Sequence, residues 1–395
     1  MQPPLAGVRV VAVEQYGAGP FGSLYLAALG AEIVKIEPPG TGEISRIVGP
    51  HFLGPHDSHF FQTFNQSKKS LTLDLKAPEG RAVLLKLVAT AEGLIDNLRG
   101  HQPEKLGLTY PQLAAANPRL VCAHLSAYGR TGSRASWPGY DYLMQAEAGF
   151  FSMTGEPSTP PARFGLSMVD YMTGVVTALA LVAGILAARA SGRGLDVDTS
   201  LYDVAMHQLS YPATWYLNEG TVTERLPRSA HPSLAPCQLY RTRDGWIFVM
   251  CQTEKFWRQL TERLERPDLA EAPEFGTFAD RLRHRDRLTE TLDEVFGKRT
   301  TAAWLEVLRG EVPVAPVYDM AQAFANPFAS ERAAVQRIEH PERRDFRALA
   351  PPVRIDGATP RMRRAPALGE HTDAILTDLG YDASAIDDLR RRGIV

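Results

Sequence analysis

Cysteine is scarce in this sequence. Its three residues, Cys122, Cys237 and Cys251, have neither metal-ligand nor disulfide spacing, which excludes a disulfide scaffold and points to a reducing, cytoplasmic setting. Excess charge is lacking too. The 43 Lys and Arg residues offset 45 Asp and Glu for a net charge of −2, so no basic footprint marks a nucleic-acid partner. The first residues lack the charged, apolar and small-residue series of a secretory signal and reach an ordinary strand at once. There is no internal repeat and no low-complexity tract. Long apolar runs are limited to one, Met172 to Ala188, which is uncharged and approaches membrane-span length. Its Ala, Gly and Thr content, with Gly174, Gly184 and a closing Arg189, suits a buried helix packed closely on others, with no membrane partner.

What is present is an ordinary globular chain, 44% hydrophobic and 22% charged, whose 395 residues suffice for one large or two moderate domains. Up to about residue 200, strand and helix patterns alternate. Strands are expected at 8–13, 32–37, 70–75, 93–98, 120–127 and 195–200, with helices at 22–30, 79–91, 103–116, 140–151 and 171–191. Such alternation predicts an α/β fold with a mostly parallel sheet covered on both faces. Proline-rich loop follows at 225–236, then a hairpin around Asp244-Gly245, a pair suited to a type I′ turn. Amphipathic helices are expected at 253–265, 281–296 and 301–309, and a last helix near 371–379. The layout is a large Rossmann-like domain over 1–220, a small α+β domain over 221–320 and a tail, 321–395, returning to the large domain.

The start of the chain has a fingerprint form. A strand, Val8 to Val13, leads into Gly17-Ala18-Gly19-Pro20-Phe21-Gly22, and the next strand ends in Glu37. Glycines followed by a helix start suit a phosphate or thioester, and an acidic residue about 20 positions on completes the dinucleotide pattern. The pattern does not select NAD: Pro20 lacks an N–H, and Pro38-Pro39 stiffens the loop that would hold a ribose. A phosphate-capable turn is expected, without an NAD site.

Asp170 opens the long apolar helix. A carboxylate in a first turn is stabilised by free N–H groups and the helix dipole, so it is expected to stay ionised. Set among apolar neighbours it would be a poorly hydrated nucleophile, although position alone is better explained by helix capping.

An ordered series of motifs resembles the class III CoA-transferases, the group of formyl-CoA and carnitine CoA-transferases. It comprises Gly17-Ala18-Gly19-Pro20, Val34-Lys35-Ile36-Glu37-Pro38-Pro39-Gly40 and Asn65-Gln66-Ser67-Lys68-Lys69-Ser70-Leu71-Thr72-Leu73-Asp74-Leu75-Lys76. Asp96-Asn97-Leu98-Arg99-Gly100, Leu106-Gly107-Leu108, Gly139-Tyr140-Asp141, Asp170 with Gly174, Val312-Pro313 to Pro316-Val317 and Leu368-Gly369-Glu370-His371-Thr372 follow in family order. The resemblance implies that Asp170 is the catalytic nucleophile, attacking an acyl-CoA thioester, with aspartyl anhydride and aspartyl-CoA intermediates and no need of ATP or metal. It implies coenzyme A as co-substrate, with contacts at Gly17, Ala18, Leu73, Lys76, Asn97, Leu98, Arg99 and Lys105, and Asp141 and Tyr140 as candidates to assist. Arg46, Lys68 and Lys69 are further phosphate candidates. Two positions depart from the family: Pro38 stands where some members have arginine, and Leu98 replaces a frequent aromatic. An interlocked homodimer is also implied. Arg163, Arg228 and His231 are candidates for the second carboxylate of a dicarboxylic substrate of the succinate or mesaconate kind, and transfer within one molecule fits the same residues.

Three other readings have distinct signatures. A 2-methylacyl-CoA racemase of the same fold carries a histidine where this chain has Tyr140, and a tyrosine titrating near 10 is a poor base for two-base racemisation. A non-catalytic CoA-binding module would leave Asp170 incidental. An NAD-dependent dehydrogenase would need a histidine–acid constellation in the second domain, and the sequence offers none.

Overall fold

The computed structural model describes residues 2–395, which divide into two compact units. The first comprises residues up to 148, 165–209 and 327–395. Its centre is a six-stranded sheet of β1 (Arg9–Val13), β2 (Glu32–Glu37), β3 (Lys69–Thr72), β4 (Gly93–Asp96), β5 (Val121–Ser126) and β6 (Leu195–Ser200). The order is β3-β2-β1-β4-β5-β6 and every pairing is parallel. This is the doubly wound arrangement, whose strand order reverses direction between β1 and β4.

Period-two alternation explains the two cores. Val11 and Val13 join Val34, Ile36 and Leu94 in a cluster that takes Leu84 and Leu87 from α2 (Pro78–Val88) and Leu376 and Leu389 from the tail helices. Val10 and Ala12 face the other way, with Ile33, Ile95, Val121 and Ala123. That face is covered by α1 (Ala18–Ala28) and the long α4 (Met168–Ser191), through Leu26, Ala178, Leu181 and Ile185. By length and composition α4 alone among the described helices is long and apolar enough to cross a membrane. Here one side of it is sheet core, as its small residues suggested. Between them, α3 (Asp141–Glu147) is a short helix preceding α4.

The second unit comprises 149–164 and 210–326. Strands Cys237–Arg241, Trp246–Met250 and Val314–Pro316 form an antiparallel sheet with Trp246–Met250 central. Helices Glu254–Arg263, Arg285–Phe296 and Thr301–Leu308 cover it, around Tyr240, Val249, Trp257, Leu292, Phe296 and Trp304.

Several local expectations change. The hairpin turn is not type I′: Thr242 N–H donates to the Gly245 carbonyl, so the tip is Arg243-Asp244, and neither Asp244 nor Gly245 has positive φ. The Asp244 carboxylate instead accepts Thr301 N–H at 2.7 Å. The helix expected over 103–116 is two single turns, Gln102–Lys105 and Tyr110–Leu113, separated at Gly107 with φ +69°. The helix over 140–151 stops at Glu147 because Gly149 takes φ +90°. A final helix, Ala383–Arg391, follows the expected one.

Candidate active site

The site begins where β1 ends, at the reversal of strand order. Three consecutive residues there are fixed by side chains from elsewhere. Lys35 Nζ donates to the Glu14 carbonyl at 2.8 Å. The Asn97 side chain, just past β4, accepts Gln15 N–H at 2.8 Å and donates to the Gln15 carbonyl at 2.7 Å. Glu43 accepts Tyr16 N–H at 3.1 Å. Tyr16 sits at φ +66°, a conformation unfavourable for a bulky residue, which these anchors hold in place.

The segment expected as a glycine turn is the first turn of α1, with Gly17 as its N-cap at φ −102°. None of Gly17, Gly19 and Gly22 has positive φ, so their missing Cβ atoms matter rather than their backbone freedom. A Cβ on Gly22 would lie 2.4 Å from the Gly174 carbonyl oxygen, and one on Gly174 would lie 2.3 Å from that of Ala18. Helices α1 and α4 therefore cross backbone on backbone. This crossing sets the first turn of α4 against the first turn of α1, where a Cβ on Gly17 would come 2.9 Å from Asp170 Oδ2. Pro20 is accommodated because a first-turn N–H has no intrahelical partner to lose.

Asp170 is 9% exposed. Its backbone N–H donates to Asp141 Oδ2 at 2.9 Å. Asp141, buried in the first turn of α3, is held in turn by Gln145, whose Nε2 lies 2.5 Å from Asp141 Oδ1 and 3.1 Å from the Leu166 carbonyl. Asp141 thus caps α4 from a neighbouring helix, and it is buried rather than on a helix surface. Burial, and then the Asp141 charge, push the Asp170 carboxyl up to about 7. The expectation of a firmly ionised Asp170 is corrected accordingly: desolvation outweighs the helix end, leaving a carboxylate that takes up a proton near neutral pH.

Asp170 opens on a cavity of about 160 Å³ lined also by Gln15, Tyr16, Gly17, Ala18, Asn97, Leu98, Arg99, Ser126, Trp137 and Tyr140. A second cavity, about 510 Å³, lies over the ends of β1, β2 and β3. Leu73, Lys76 and Leu98 line it with Pro38, Pro39, Ile44, Ile47 and Leu106. Gln15 and Leu98 are common to both. Lys105 adjoins Leu106 but points outside the lining, and Lys76, Arg99 and Lys105 are all exposed. Tyr140 is 63% exposed and stacks edge-on with Tyr16, ring centroids 6.3 Å apart. Sequence reasoning missed Gln15, Tyr16, Ser126 and Trp137, for which only their places at or beyond the ends of β1 and β5 gave a signal. It also missed Ile44 and Ile47, apolar yet 53% and 60% exposed.

Other candidates are engaged elsewhere. Arg46 Nε and Nη2 donate to the two Glu37 oxygens at 2.7 Å each, and Ser70 Oγ donates to Glu37 at 2.7 Å. Burial would raise the Glu37 carboxyl, but Arg46 outweighs it and holds it below the usual range. Glu37 is therefore already occupied by protein donors, and Arg46 is buried against it. Lys68, fully buried, donates to Glu14 Oε1 at 2.7 Å, the Pro20 carbonyl at 3.0 Å and Asn65 Oδ1 at 3.0 Å. Lys69 pairs with Glu32. Within the second unit Arg228 pairs with Asp293, and His231 Nε2 meets the Tyr211 hydroxyl at 2.9 Å. Arg163 donates to the Phe164 carbonyl at 3.2 Å.

Comparison with known proteins supplies the class of chemistry. Residues 5–372 match the model of CoA-transferase family III. The chain is 31% identical to the human succinyl-CoA:glutarate CoA-transferase over 99% of its own length and 90% of that protein's. It is 31% identical to the succinyl-CoA:mesaconate CoA-transferase of Haloarcula marismortui, covering 96% and 97% of the two chains. A CAIB/BAIF family protein from Brucella suis superimposes with a TM-score of 0.82 at 31% identity, over 96% of this chain and all of that one. The chain belongs to CoA-transferase family III and is a class III CoA-transferase.

Proposed function

We propose that this enzyme moves CoA from an acyl-CoA thioester to a dicarboxylic acid through covalent intermediates on Asp170. The observation that carries the reading is the Asp170 carboxylate itself, buried at a helix start, opening on a cavity and facing Gly17 with no side chain between them. An ionised Oδ attacks the thioester carbon, the C–S bond breaks, and CoA leaves as thiolate from a mixed anhydride. The thiolate attacks the Asp170 carbonyl carbon and the donor acid departs as carboxylate, leaving an aspartyl-CoA thioester. The acceptor carboxylate then attacks that thioester and the two steps run in reverse. The first turn of α1, whose N–H groups lack intrahelical partners, supplies donors for the developing oxyanion.

CoA is read across the two cavities. The apolar walls of the larger one, Pro38, Pro39, Ile44, Ile47 and Leu106, suit the adenine, with Lys76 of the same lining and Arg99 of the smaller cavity as cations for its phosphates and Lys105 outside both linings. The pantetheine arm passes Gln15 and Leu98 to reach Asp170. Asp141 positions Asp170, and Tyr140 forms part of the cavity wall. The dicarboxylate reading rests on relatives named for succinyl, glutarate and mesaconate transfer.

A panel of acyl-CoA donors against mono- and dicarboxylic acceptors, read by mass spectrometry, tests this. Hydroxylamine added during turnover is expected to leave a hydroxamate on Asp170, and turnover without that label rules out the covalent route. Deuterium wash-in at the acyl α-carbon without any acceptor acid would instead indicate racemase chemistry.

A homodimer, interlocked in the manner the family resemblance implies, is part of the same reading. It is supported by the solvent side of α4, where Met172, Leu179 and Leu186 are 39%, 69% and 61% exposed on a helix turned apolar all round. Sedimentation at nanomolar concentration is expected to give dimer only. Three free buried cysteines agree with a reducing compartment.

A further inference from the structure

Three parallel strands of the first unit are joined by a buried charged group that the transfer steps do not use. His124, on β5, is fully enclosed. Its Nδ1 lies 2.6 Å from Asp96 Oδ2 on β4, and its Nε2 lies 3.1 Å from Asp196 Oδ1 on β6. Asp196 Oδ1 also accepts Tyr110 N–H at 2.7 Å. Arg130 reaches Asp196 at 3.5 Å and Asp198 at 3.0 Å, so Asp196 is shared between a histidine and an arginine. A neutral imidazole has one N–H; the imidazolium offers two, one to each flanking carboxyl, while burial pushes the Asp96 carboxyl up despite its hydrogen bond to His124.

The inner carboxylate points toward the active site. Asp96 is the last residue of β4, and its Oδ1 accepts Leu98 N–H at 3.3 Å. Between them stands Asn97, the residue whose amide grips both backbone groups of Gln15. Gln15 and Leu98 are the two residues common to the cavities described above.

We propose that His124 is a positioning residue: by bridging Asp96 and Asp196 it fixes the end of β4, and through Asn97 the Gln15 loop along which CoA reaches Asp170. The inference rests on the CoA-transferase reading of the site. The charge state follows from the surroundings. Burial alone would lower the imidazole, but hydrogen bonds to Asp196 and Asp96 outweigh it and raise it to about 9, with Arg130 opposing. A histidine raised in this way contributes its bridge fully below the unfolded value near 6.5 and loses it as pH rises through about 9.

Two variants test the proposal. Asp196→Asn keeps an oxygen for His124 and Tyr110 but removes the charge. His124→Gln replaces two donor nitrogens on opposite sides of a ring by a single amide nitrogen. Transfer kinetics from pH 6 to 10 and CoA binding by calorimetry are measured on both and on the wild type. Wild-type kcat/KM is expected to fall through about pH 9, and Asp196→Asn is expected to move that limb toward neutrality. His124→Gln is expected to weaken CoA binding and raise the KM for acyl-CoA by about tenfold to a hundredfold, with a smaller change in kcat. Unchanged CoA binding with an unmoved alkaline limb overturns the proposal. If His124→Gln does not fold, the limb and CoA affinity of Asp196→Asn decide alone. Wild-type protein that binds CoA but transfers none refutes the proposed function, while the CoA affinities of the variants still decide the role of His124.

Discussion

Asp141 Oδ2 accepts the backbone N–H of Asp170 at 2.9 Å, so one carboxylate caps the helix that carries the other. The pair is held in place by hydrogen bonding and opposed by charge. Asp141→Asn keeps an acceptor and removes the charge, so the Asp170 carboxyl is expected to fall below its value of about 7. The acid limb of kcat/KM should move to lower pH, while Asp141→Ala, which loses the cap, should cost roughly 1 kcal/mol of stability as well. Rate profiles and thermal melts of the two variants separate the effects.

Asp170→Asn is expected to abolish transfer and to stabilise the protein at alkaline pH. The sign follows from linkage. A carboxyl raised from 3.8 to about 7 favours the folded state while protonated, and that contribution is lost as pH rises from about 4 through 7. At about 1.4 kcal/mol per pH unit the effect amounts to a few kcal/mol. Melting temperatures at pH 8 should rise in the variant, and the gap should shrink as pH falls through 7 and close only near pH 4. A lower melting temperature at pH 8 would contradict the assigned environment.

Gly17→Ala and Gly22→Ala should fail differently. A methyl on Gly17 meets a side-chain oxygen of Asp170 at 2.9 Å, so activity should fall steeply with a modest loss of stability. A methyl on Gly22 meets a backbone carbonyl at 2.4 Å, forcing two helices apart at a cost of about 1–3 kcal/mol or more. Denaturation curves beside kcat distinguish the two.

Arg46→Ala should destabilise the fold by about 3–5 kcal/mol, since it leaves the buried Glu37 carboxylate unpaired. The Glu37 carboxyl is held low, so the wild-type pair contributes above the unfolded carboxyl value near 4.5 and is lost on acidification. A rise in the KM for acyl-CoA without loss of stability would return Arg46 to the phosphate site.

The sheet and its covering helices were legible because they rest on local signals, period-two strands and a long apolar helix, whereas the candidate site residues came from the ordered motifs that resemble a family. Partner choice was not legible. Nothing local to Glu37 announces that Arg46 and Ser70 saturate it, and nothing local to Asp170 announces Asp141 behind it. The reading of Asp170 as ionised used only its own helix, whereas burial, and then the charge of Asp141 in another helix, raises its proton affinity. Likewise the Asp-Gly pair suited a type I′ turn, yet Thr301 recruits Asp244 and shifts the turn by one residue.

The contact of Gly22 with Gly174 has one more consequence. Side chains that meet across a helix pair can trade volume, and a lineage can drift by exchanging one for another. A crossing made of main chain has no such slack: the spacing between the two first turns is set by peptide geometry alone. A side chain added on either helix at this crossing therefore moves the glycine turn and the nucleophile apart, whatever the loops around the cavities do.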